Sequence, residues 1–329
     1  MTANQDQFSD KYFVRAREIL VADQYSPQVL MQLFCRSTAL LCGVDEALEL
    51  AADLKGVTVH SLSDGDPIAP WETVMTLQGP YIEFASLETQ ILGILARGTR
   101  VASQTQELVS AANHKPVLFC GARHDHYANQ FSDGHAAIIG GASGVATDAQ
   151  GARSHLPGVG TMPHALIAAY GGDTVLAAEK FVQHMPTDIP FIALVDFDND
   201  CAGTSVAVAR ALEGRLAGVR LDTSSNLVDH SLGDSGLTGV HPILVQRVRA
   251  ALDHAGFNDV EIVVSGGITA QRIATFEASG APVDAYGVGS AILRNNGDYD
   301  FTADIVAVNG QPLAKVGRRL SPNPRLRQV

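Results

Sequence analysis

The apolar positions of this chain follow two different patterns, and the pattern changes near Pro116. Before that point, residues 11–20 carry apolar positions at helical spacing, residues 57–62 predict a strand, and residues 81–113 hold a long helical pattern. Turn sequences such as Gly79-Pro80 separate these segments. The pattern predicts an N-terminal α+β domain, with mixed helices and antiparallel strands, over residues 1–113.

After Pro116, short apolar segments alternate with segments of helical spacing. Seven apolar segments predict strands, at residues 117–119, 136–139, 158–161, 191–195, 218–221, 260–264 and 285–288. Helical patterns between them cover residues 165–170, 174–184, 205–212, 241–255 and 269–278. About seven βα units are typical of a parallel α/β barrel, which we place at residues 114–294. Alternation resumes around Asn309-Gly310, so residues 295–329 predict a C-terminal hairpin that packs back on the N-terminal domain.

Composition narrows the partners that the chain can have. Its 329 residues are 46% apolar and carry a formal net charge of -12, which disfavours broad binding to nucleic acid or to anionic membranes. No apolar segment reaches the roughly 20 residues that span a bilayer, and the polar start shows no signal peptide, so we expect a cytoplasmic protein. The spacing of the cysteines predicts buried, reduced thiols at Cys35, Cys42, Cys120 and Cys201. An anionic substrate would have to meet local arginines, backbone amides or a metal.

Two glycine turns follow consecutive predicted strands near the end of the barrel. The first is Ser265-Gly266-Gly267, and the second is Gly287-Val288-Gly289. Glycines let a backbone approach a phosphate closely, and the free amides of a helix start favour an anion. A tight βα turn alone would also need glycine, but the consecutive pair at these barrel positions favours phosphate binding.

Carboxylates follow two other predicted strands. Asp196, Asp198 and Asp200 could hold a ribose diol or Mg²⁺, or could cap the next helix. A calcium loop is disfavoured because Ala207 stands where such a loop has a glutamate. Arg220 and Asp222 alternate along one strand and therefore face the same side, either as a salt bridge or around a bound diphosphate. The spacing leaves both alternatives open.

Two basic residues complete the candidate chemistry. Arg123 follows a glycine at the end of the first barrel strand and could fork onto a carboxylate or a phosphate. The nearby histidines, His124 and His126, lack the spacing of a known metal site. His164 follows Gly160-Thr161-Met162-Pro163, and its place among the strand-end groups makes it a candidate nucleophile or acid–base group.

Together these motifs resemble the type II phosphoribosyltransferases, and in particular the short prokaryotic form of the nicotinate phosphoribosyltransferases, which are related to the quinolinate enzymes. The resemblance spans nearly the whole chain. The motifs that carry it are Asp10 to Leu20, Gly65-Asp66-Pro67-Ile68, Gly79-Pro80-Tyr81, Leu87-Glu88-Thr89-Gln90, Gly121-Ala122-Arg123, Gly160 to His164, Gly218 to Asp222, Gly287-Val288-Gly289 and Lys315 to Arg318.

The resemblance implies an irregular parallel α/β barrel with an N-terminal α+β domain that the C-terminal hairpin completes. It implies transfer of a phosphoribosyl group from 5-phosphoribosyl 1-diphosphate to nicotinate, in NAD salvage, with Mg²⁺. It further implies that ATP is a co-substrate that phosphorylates His164, and that the enzyme is a homo-oligomer with shared active sites.

The resemblance also assigns roles to individual residues. Catalytic roles fall to His164, Asp196 and Asp222, and Asp196 and Asp222 would hold the ribose or the metal. The carboxylate pattern adds Asp198 beside Asp196 as a candidate Mg²⁺ ligand. Nicotinate would contact Thr161 and, from a neighbouring subunit, Tyr12, and Arg123 would contact nicotinate or the diphosphate. Groups that would bind the phosphates are Arg220, Ser265, Gly266, Gly267, Gly287 and Gly289.

Other activities remain open from the residues alone. The alternatives are a quinolinate or other pyridine phosphoribosyltransferase and a non-catalytic relative that binds the nucleotide. The resemblance to the quinolinate enzymes does not extend to the Arg-Lys-Thr-Thr-Pro run that forms their basic cluster for two carboxylates. That run does not occur in this sequence, which favours nicotinate over quinolinate. A sugar-phosphate aldolase or isomerase is disfavoured because no lysine lies in the later barrel strands.

Overall fold

The computed structural model describes residues 5–329. Its helices are α1 (Lys11–Ala22), α2 (Val44–Ala51), α3 (Tyr81–Phe84), α4 (Glu88–Ala111), α5 (Gln130–Ile139), α6 (Asp148–Gly151), α7 (His164–Ala169), α8 (Thr174–His184), α9 (Cys201–Leu212), α10 (Pro242–His254), α11 (Ala270–Ala278) and α12 (Ser290–Leu293). Its strands are β1 (Gln28–Cys35), β2 (Ala39–Leu40), β3 (Thr58–Ser61), β4 (Pro67–Ile68), β5 (Thr73–Pro80), β6 (Val117–Phe119), β7 (Gly144–Val145), β8 (Ile192–Leu194), β9 (Gly218–Leu221), β10 (Glu261–Val264), β11 (Ala285–Val288), β12 (Phe301–Val308), β13 (Gln311–Pro312) and β14 (Arg327–Gln328).

The chain folds as two compact units. The first comprises residues up to Ser103 together with Asn295–Val329. Its main sheet is antiparallel, in the order β13-β12-β1-β5-β3-β14. Strand β12 pairs with β1 from Val29 to Cys35, with Cys35 opposite Phe301, and turns at Asn309-Gly310 into β13. The C-terminal hairpin therefore completes the N-terminal α+β sheet, which confirms that part of the predicted fold class.

The second unit, Gln104–Arg294, is built on a six-stranded sheet in the order β7-β6-β11-β10-β9-β8. Every neighbouring pair in this sheet is parallel. The strands are short and apolar on both faces, as expected when helices cover a parallel sheet. Their buried side chains include Phe119, Leu194, Val219, Val263 and Tyr286. The predicted α/β barrel scaffold is confirmed, and its strands all end at one edge.

Two of the seven predicted barrel strands are wrong. Residues 136–139 form the end of α5, because a run of four apolar residues does not distinguish a strand from a buried helix segment. Gly134 lets this helix pack closely against α6, since a Cβ there would lie 2.1 Å from the carbonyl oxygen of Gln150. The strand in this region is β7, two residues long, which the pattern does not predict.

The other incorrect strand covers residues 158–161, where only an isolated parallel bridge joins Gly158 to Val145. The Val159 amide donates to the Val145 carbonyl at 2.7 Å, and the Thr161 hydroxyl donates to the Ile192 carbonyl. This irregular segment thus makes contacts with both edge strands of the sheet, β7 and β8. It takes the place that a seventh regular strand would occupy in a barrel.

Cysteine burial and helix hydropathy bear on two further expectations. All four cysteines are unpaired; three are buried, and the fourth, Cys120, is only half-buried at the end of β6. The prediction of buried thiols is therefore confirmed for Cys35, Cys42 and Cys201 and is wrong for Cys120, which is only half-buried. Among residues 5–329, no helix combines the length and the apolar character needed to cross a bilayer.

Candidate active site

His164 and Asp196 form a pair at the end of β8. His164 is the first residue of α7, and its Nε2 lies 3.2 Å from each carboxylate oxygen of Asp196. The Asp196 side chain is 7% exposed and the His164 side chain is 45% exposed, so an enclosed carboxylate holds an accessible imidazole. With the proton on Nε2, the lone pair of Nδ1 is available to a ligand. This is the arrangement of an oriented base or nucleophile.

Burial sets the electrostatics of Asp196. It is the largest influence on the pKa of this carboxyl and raises it, while the adjacent His164 opposes the shift. Asp222 also raises the pKa of Asp196, which places the two carboxylates within each other's field. A buried carboxylate of this kind is stabilised by a positive charge when one forms beside it.

The other two aspartates of this segment have different surroundings. Asp200 caps α9, because its carboxylate accepts a hydrogen bond from the Gly203 amide at 3.0 Å. Asp198 is exposed, and no cluster of three ligating side chains forms around it among the residues that the structure describes. The capping interpretation holds for Asp200, and the proposed metal role of Asp198 remains a prediction.

A second cluster joins the ends of β9 and β10. Arg220 Nη1 lies 3.8 Å from Asp222 Oδ2, and the Ser265 hydroxyl lies 3.0 Å from Asp222 Oδ1. The same hydroxyl lies 3.1 Å from the Leu221 carbonyl oxygen. The structure therefore brings together three of the predicted site residues and leaves Arg220 in a long ion pair with its guanidinium partly exposed.

The Gly266-Gly267 turn follows β10 in a conformation that requires glycine. Both residues lie in the left-handed region, with φ of 84° and 63°. A Cβ on Gly266 would meet Asp222 Oδ1 at 3.2 Å, so the turn lies directly against the carboxylate cluster. Thr269 then caps α11 by accepting from the Arg272 amide at 3.3 Å.

Two further glycines stand at the end of β11, each for a different reason. A Cβ on Gly287 would meet the Ser265 Cβ at 3.2 Å and the Cys120 Sγ at 3.6 Å. A Cβ on Gly289 would lie 2.5 Å from the His124 Cε1 atom. Gly289 thus makes room for the exposed imidazole of His124, a packing role that the sequence pattern does not reveal.

The remaining predicted contacts have varied positions. Arg123 is exposed after β6 and makes no ion pair within residues 5–329, so its guanidinium is accessible. The Thr161 hydroxyl is already used on the Ile192 carbonyl. Tyr12 belongs to the first unit, where it is 62% exposed and its hydroxyl donates to Asp10 Oδ2 at 3.2 Å.

A cavity of about 560 Å³ opens beside the carboxylate cluster. Asp222, Gly266 and Gly267 line it together with residues 223–225 and 238–242. Arg272 also lines the cavity, although the sequence analysis does not select it. A signal for it does exist, because a cation in the first turn of a helix opposes the helix dipole and needs a reason to be there.

These groups converge because they all follow strands of one parallel sheet. Burial is the main cause that raises the pKa of the half-buried Cys120. The charges of Arg220, Asp222 and Arg123 also act on this pKa, so all three lie near the Cys120 thiol. Carboxylates, guanidinium groups and glycine turns at the carboxyl edge of such a sheet are typical of one class of protein, the α/β enzymes that bind a phosphorylated small molecule.

Family comparisons make this class specific. Residues 10–99 match the N-terminal domain model of quinolinate phosphoribosyl transferase, and residues 101–301 match its C-terminal domain model. The chain therefore belongs to the quinolinate phosphoribosyltransferase family of type II phosphoribosyltransferases, as the motifs suggest.

Individual relatives agree with this assignment. The nicotinate phosphoribosyltransferase pncB1 of Mycobacterium tuberculosis is 30% identical over 264 residues, which cover 78% of this chain and 55% of the relative. The crystal structure of a nicotinate-nucleotide pyrophosphorylase from Pyrococcus furiosus is similar at a TM-score of 0.84 and 33% identity, covering 99% of this chain and 85% of that one. The human nicotinic acid phosphoribosyltransferase shares the fold at a TM-score of 0.72 and 18% identity, over 95% and 77% of the two chains. The chain spans about half the length of the curated relatives that it matches.

Proposed function

We propose that this chain transfers the phosphoribosyl group of 5-phosphoribosyl 1-diphosphate to the ring nitrogen of nicotinate, giving nicotinate mononucleotide and diphosphate. The observation that carries the proposal is the convergence of Asp196, Asp222 and the Gly266-Gly267 turn at one sheet edge. The names of the curated relatives support the same reaction.

The donor fits the site by charge. In the transition state the bond from C1 to diphosphate breaks and positive charge grows on the ribose ring. Asp196 and Asp222 stabilise that charge, and enclosure strengthens the effect because Asp196 is 7% exposed. Arg220 lies beside Asp222 and neutralises the departing diphosphate.

Mg²⁺ suits the same donor set, because Asp222 and Asp196 offer carboxylate oxygens to a hard cation that also takes phosphate oxygens. Asp222 would hold it together with the diphosphate, with Asp198 as a further carboxylate. When bound, Mg²⁺ supplies charge neutralisation to the leaving diphosphate.

The acceptor is a weak acid with one carboxylate, which one guanidinium can bind through two parallel hydrogen bonds. Arg123 is exposed and unpaired within the described residues, so it binds the nicotinate carboxylate in this proposal. The Thr161 hydroxyl donates to the Ile192 carbonyl and nicotinate offers only acceptors, so Thr161 lines the pocket without donating to the carboxylate. Tyr12 of a neighbouring subunit stacks on the pyridine ring. The pyridine nitrogen is itself the nucleophile, so the transfer requires no strong base.

ATP coupling forms a second part of the proposal. The Nδ1 lone pair of His164 attacks the γ-phosphorus of ATP, the bond to the bridging oxygen breaks, and ADP leaves. Asp196 accepts the Nε2 proton in a hydrogen bond and stabilises the positive imidazole through the step. Hydrolysis of the phosphoryl group then returns the free imidazole.

Quinolinate is the second candidate acceptor, because the matching family models carry that name. It has two carboxylates and would need a second cation beside Arg123. His124 is the neighbouring residue that could supply it, since its imidazole is exposed on the Gly289 turn. Nicotinate remains the better fit because an imidazole cannot make the two parallel hydrogen bonds to a carboxylate that a guanidinium makes.

Acceptor selectivity tests the proposal. Purified protein with the phosphoribosyl donor and Mg²⁺ receives nicotinate, quinolinate or nicotinamide, and chromatography measures each mononucleotide. We expect nicotinate mononucleotide to form fastest. Faster product formation from quinolinate would assign the quinolinate reaction instead, and no mononucleotide from any acceptor, with or without ATP, would contradict the proposal.

A further inference from the structure

Arg272 contacts backbone carbonyls on two different segments. It is the third residue of α11, and its side chain is half-buried beneath the Gly266-Gly267 turn. Its Nη1 donates to the Gly266 carbonyl and, at 3.0 Å, to the Gly267 carbonyl. Its Nη2 donates to the Val240 carbonyl at 2.7 Å. One guanidinium therefore holds three carbonyl oxygens.

The positive charge of Arg272 has no carboxylate partner within residues 5–329. Partly buried charges are normally paired, because burial without a counter-charge is costly. Its position in the first turn of α11 adds repulsion from the helix dipole. Three backbone carbonyls are the only partners of this charge among the described residues, so the guanidinium is committed to the turn and to Val240 rather than to a side chain.

The contacts of Arg272 also fix the direction of two amides. The Gly266 carbonyl shares a peptide plane with the Gly267 amide, and the Gly267 carbonyl shares one with the Ile268 amide. The peptides are trans, so each N–H points away from the carbonyl that Arg272 holds. Neither amide has a hydrogen-bond acceptor among the described residues. Two free amides are therefore oriented together, away from the arginine.

We propose that Arg272 is a positioning residue for the donor's 5-phosphate: it holds the Gly266-Gly267 turn so that the Gly267 and Ile268 amides bind that phosphate. This rests on the proposed function. The 5-phosphate takes no part in bond breaking, so its binding energy is the same in the ground state and the transition state. Loss of the arginine therefore raises KM for the donor more than it lowers kcat.

The Val240 contact extends this role to the neighbouring cavity. Residues 238–242 and the Gly266-Gly267 turn both line the same cavity of about 560 Å³. Arg272 is hydrogen-bonded to both segments, so it also fixes their separation in the cavity wall.

The chain provides a matched control in Arg249 on α10. Its Nη atoms donate to the Val260 and Phe257 carbonyls, each at 2.6 Å, and its Nε pairs with Asp253. It therefore also holds two backbone carbonyls, but just before β10 begins rather than where β10 ends. Its loss affects stability without touching the proposed phosphate turn.

The test compares Arg272→Gln, Arg272→Lys and Arg249→Gln with the wild type. Calorimetry measures the affinity for ribose 5-phosphate, and initial rates give KM and kcat for the donor and for nicotinate. We expect Arg272→Gln to weaken ribose 5-phosphate binding about tenfold or more, as for loss of charge-assisted hydrogen bonds. KM for the donor rises in parallel, while KM for nicotinate stays near the wild-type value.

The lysine variant separates charge from geometry. It keeps the positive charge but cannot span three carbonyls as a planar fork does, so it restores part of the lost affinity. If Arg272→Gln does not fold, the lysine variant carries the test, because its affinity must still fall below that of the wild type.

Equal ribose 5-phosphate affinity in the wild type and the folded Arg272 variants would overturn the proposal, and so would an equal loss in Arg249→Gln. A wild type that does not bind ribose 5-phosphate would also contradict it. If the wild type binds ribose 5-phosphate through Arg272 but makes no pyridine mononucleotide, the proposed function fails and the role of Arg272 stands.

Discussion

At the scale of single residues, the His164–Asp196 pair carries the most specific chemistry. Its carboxylate is buried and its imidazole is exposed, and one nitrogen is committed to the carboxylate. Both residues are predictable from the sequence as site residues, but their contact is not, because 32 positions separate them along the chain. Only the fold brings the start of α7 to the end of β8.

The first prediction concerns ATP coupling through His164. His164→Ala removes the phosphoryl acceptor, so nicotinate-stimulated ATP hydrolysis falls to background while slower, uncoupled mononucleotide synthesis survives. Release of ADP and formation of the mononucleotide are measured in one reaction mixture. The exposed His126→Ala variant is the control. An unchanged ATPase rate in His164→Ala would remove the phosphoacceptor role.

The second prediction separates activity from stability at Asp196. Asparagine keeps the shape of the side chain but cannot stabilise a positive imidazole, so ATP hydrolysis falls about tenfold or more. Burial raises the pKa of Asp196, which means that the ionised carboxylate is costly in the folded state. We therefore expect Asp196→Asn to unfold, at pH 8, at the same or a higher temperature than the wild type. A large fall in the unfolding temperature would show that the pair is mainly structural.

At the scale of elements, the sequence predicts long periodic segments well and short ones poorly. The pattern for residues 174–184 coincides with α8, whose apolar positions repeat over three turns. In contrast, β7 has only two residues, too few to show a pattern of their own. It is a strand because it pairs with β6 in the folded protein. The glycine turns are predictable as turns. The need for glycine at residue 289 is not, because it comes from the close contact with His124 in the folded protein.

Arg272 illustrates what local patterns leave out. The role proposed for it depends on three carbonyls, one of them 32 residues away on the segment before α10. No spacing rule in the sequence connects these groups. The contact between Gly289 and His124 has the same character, since it joins the ends of β11 and β6.

The third prediction concerns the start of α4. Burial is the main cause that raises the pKa of Glu88 from 4.5 to about 7, and Asp304 and Asp10 add to the shift. A raised folded-state pKa gives a contribution to stability that is present below about pH 4.5 and is lost as pH rises through about 7. Glu88→Gln therefore becomes progressively more stable than the wild type between pH 5 and pH 8, by about 1–3 kcal/mol at most.

Thermal unfolding at several pH values measures this effect. Glu107→Gln is the control, because it makes the same change at an exposed position of the same helix. If the difference between Glu88→Gln and the wild type does not change with pH, Glu88 is not protonated by burial.

At the scale of the whole molecule, a chain with a net charge of -12 is proposed to bind a multiply charged anion. The two facts agree only if positive groups are concentrated where the anion binds. Arg123, Arg220 and Arg272 supply such a concentration around one sheet edge, and free amides of the glycine turn add to it.

The fourth prediction tests shared active sites. We expect Tyr12 in the first unit to complete the site of a neighbouring subunit. Tyr12→Ala and Asp222→Ala should each be nearly inactive alone. Mixing the two after reversible dissociation should restore about a quarter of the activity or less, since only sites with both native residues work. A mixture that stays inactive, or a fully active monomer in sedimentation, would contradict a shared site.

The measurement that tests the central claim most directly is transfer of isotope-labelled nicotinate onto the phosphoribosyl donor by the wild type and by Asp222→Asn. Asparagine keeps the hydrogen bond to Ser265 but removes the charge that would stabilise the ribose cation. The account predicts labelled nicotinate mononucleotide from the wild type and a loss of about a hundredfold or more in kcat for the variant. Equal rates for a folded Asp222→Asn variant, or no labelled product from the wild type with or without ATP, would contradict it.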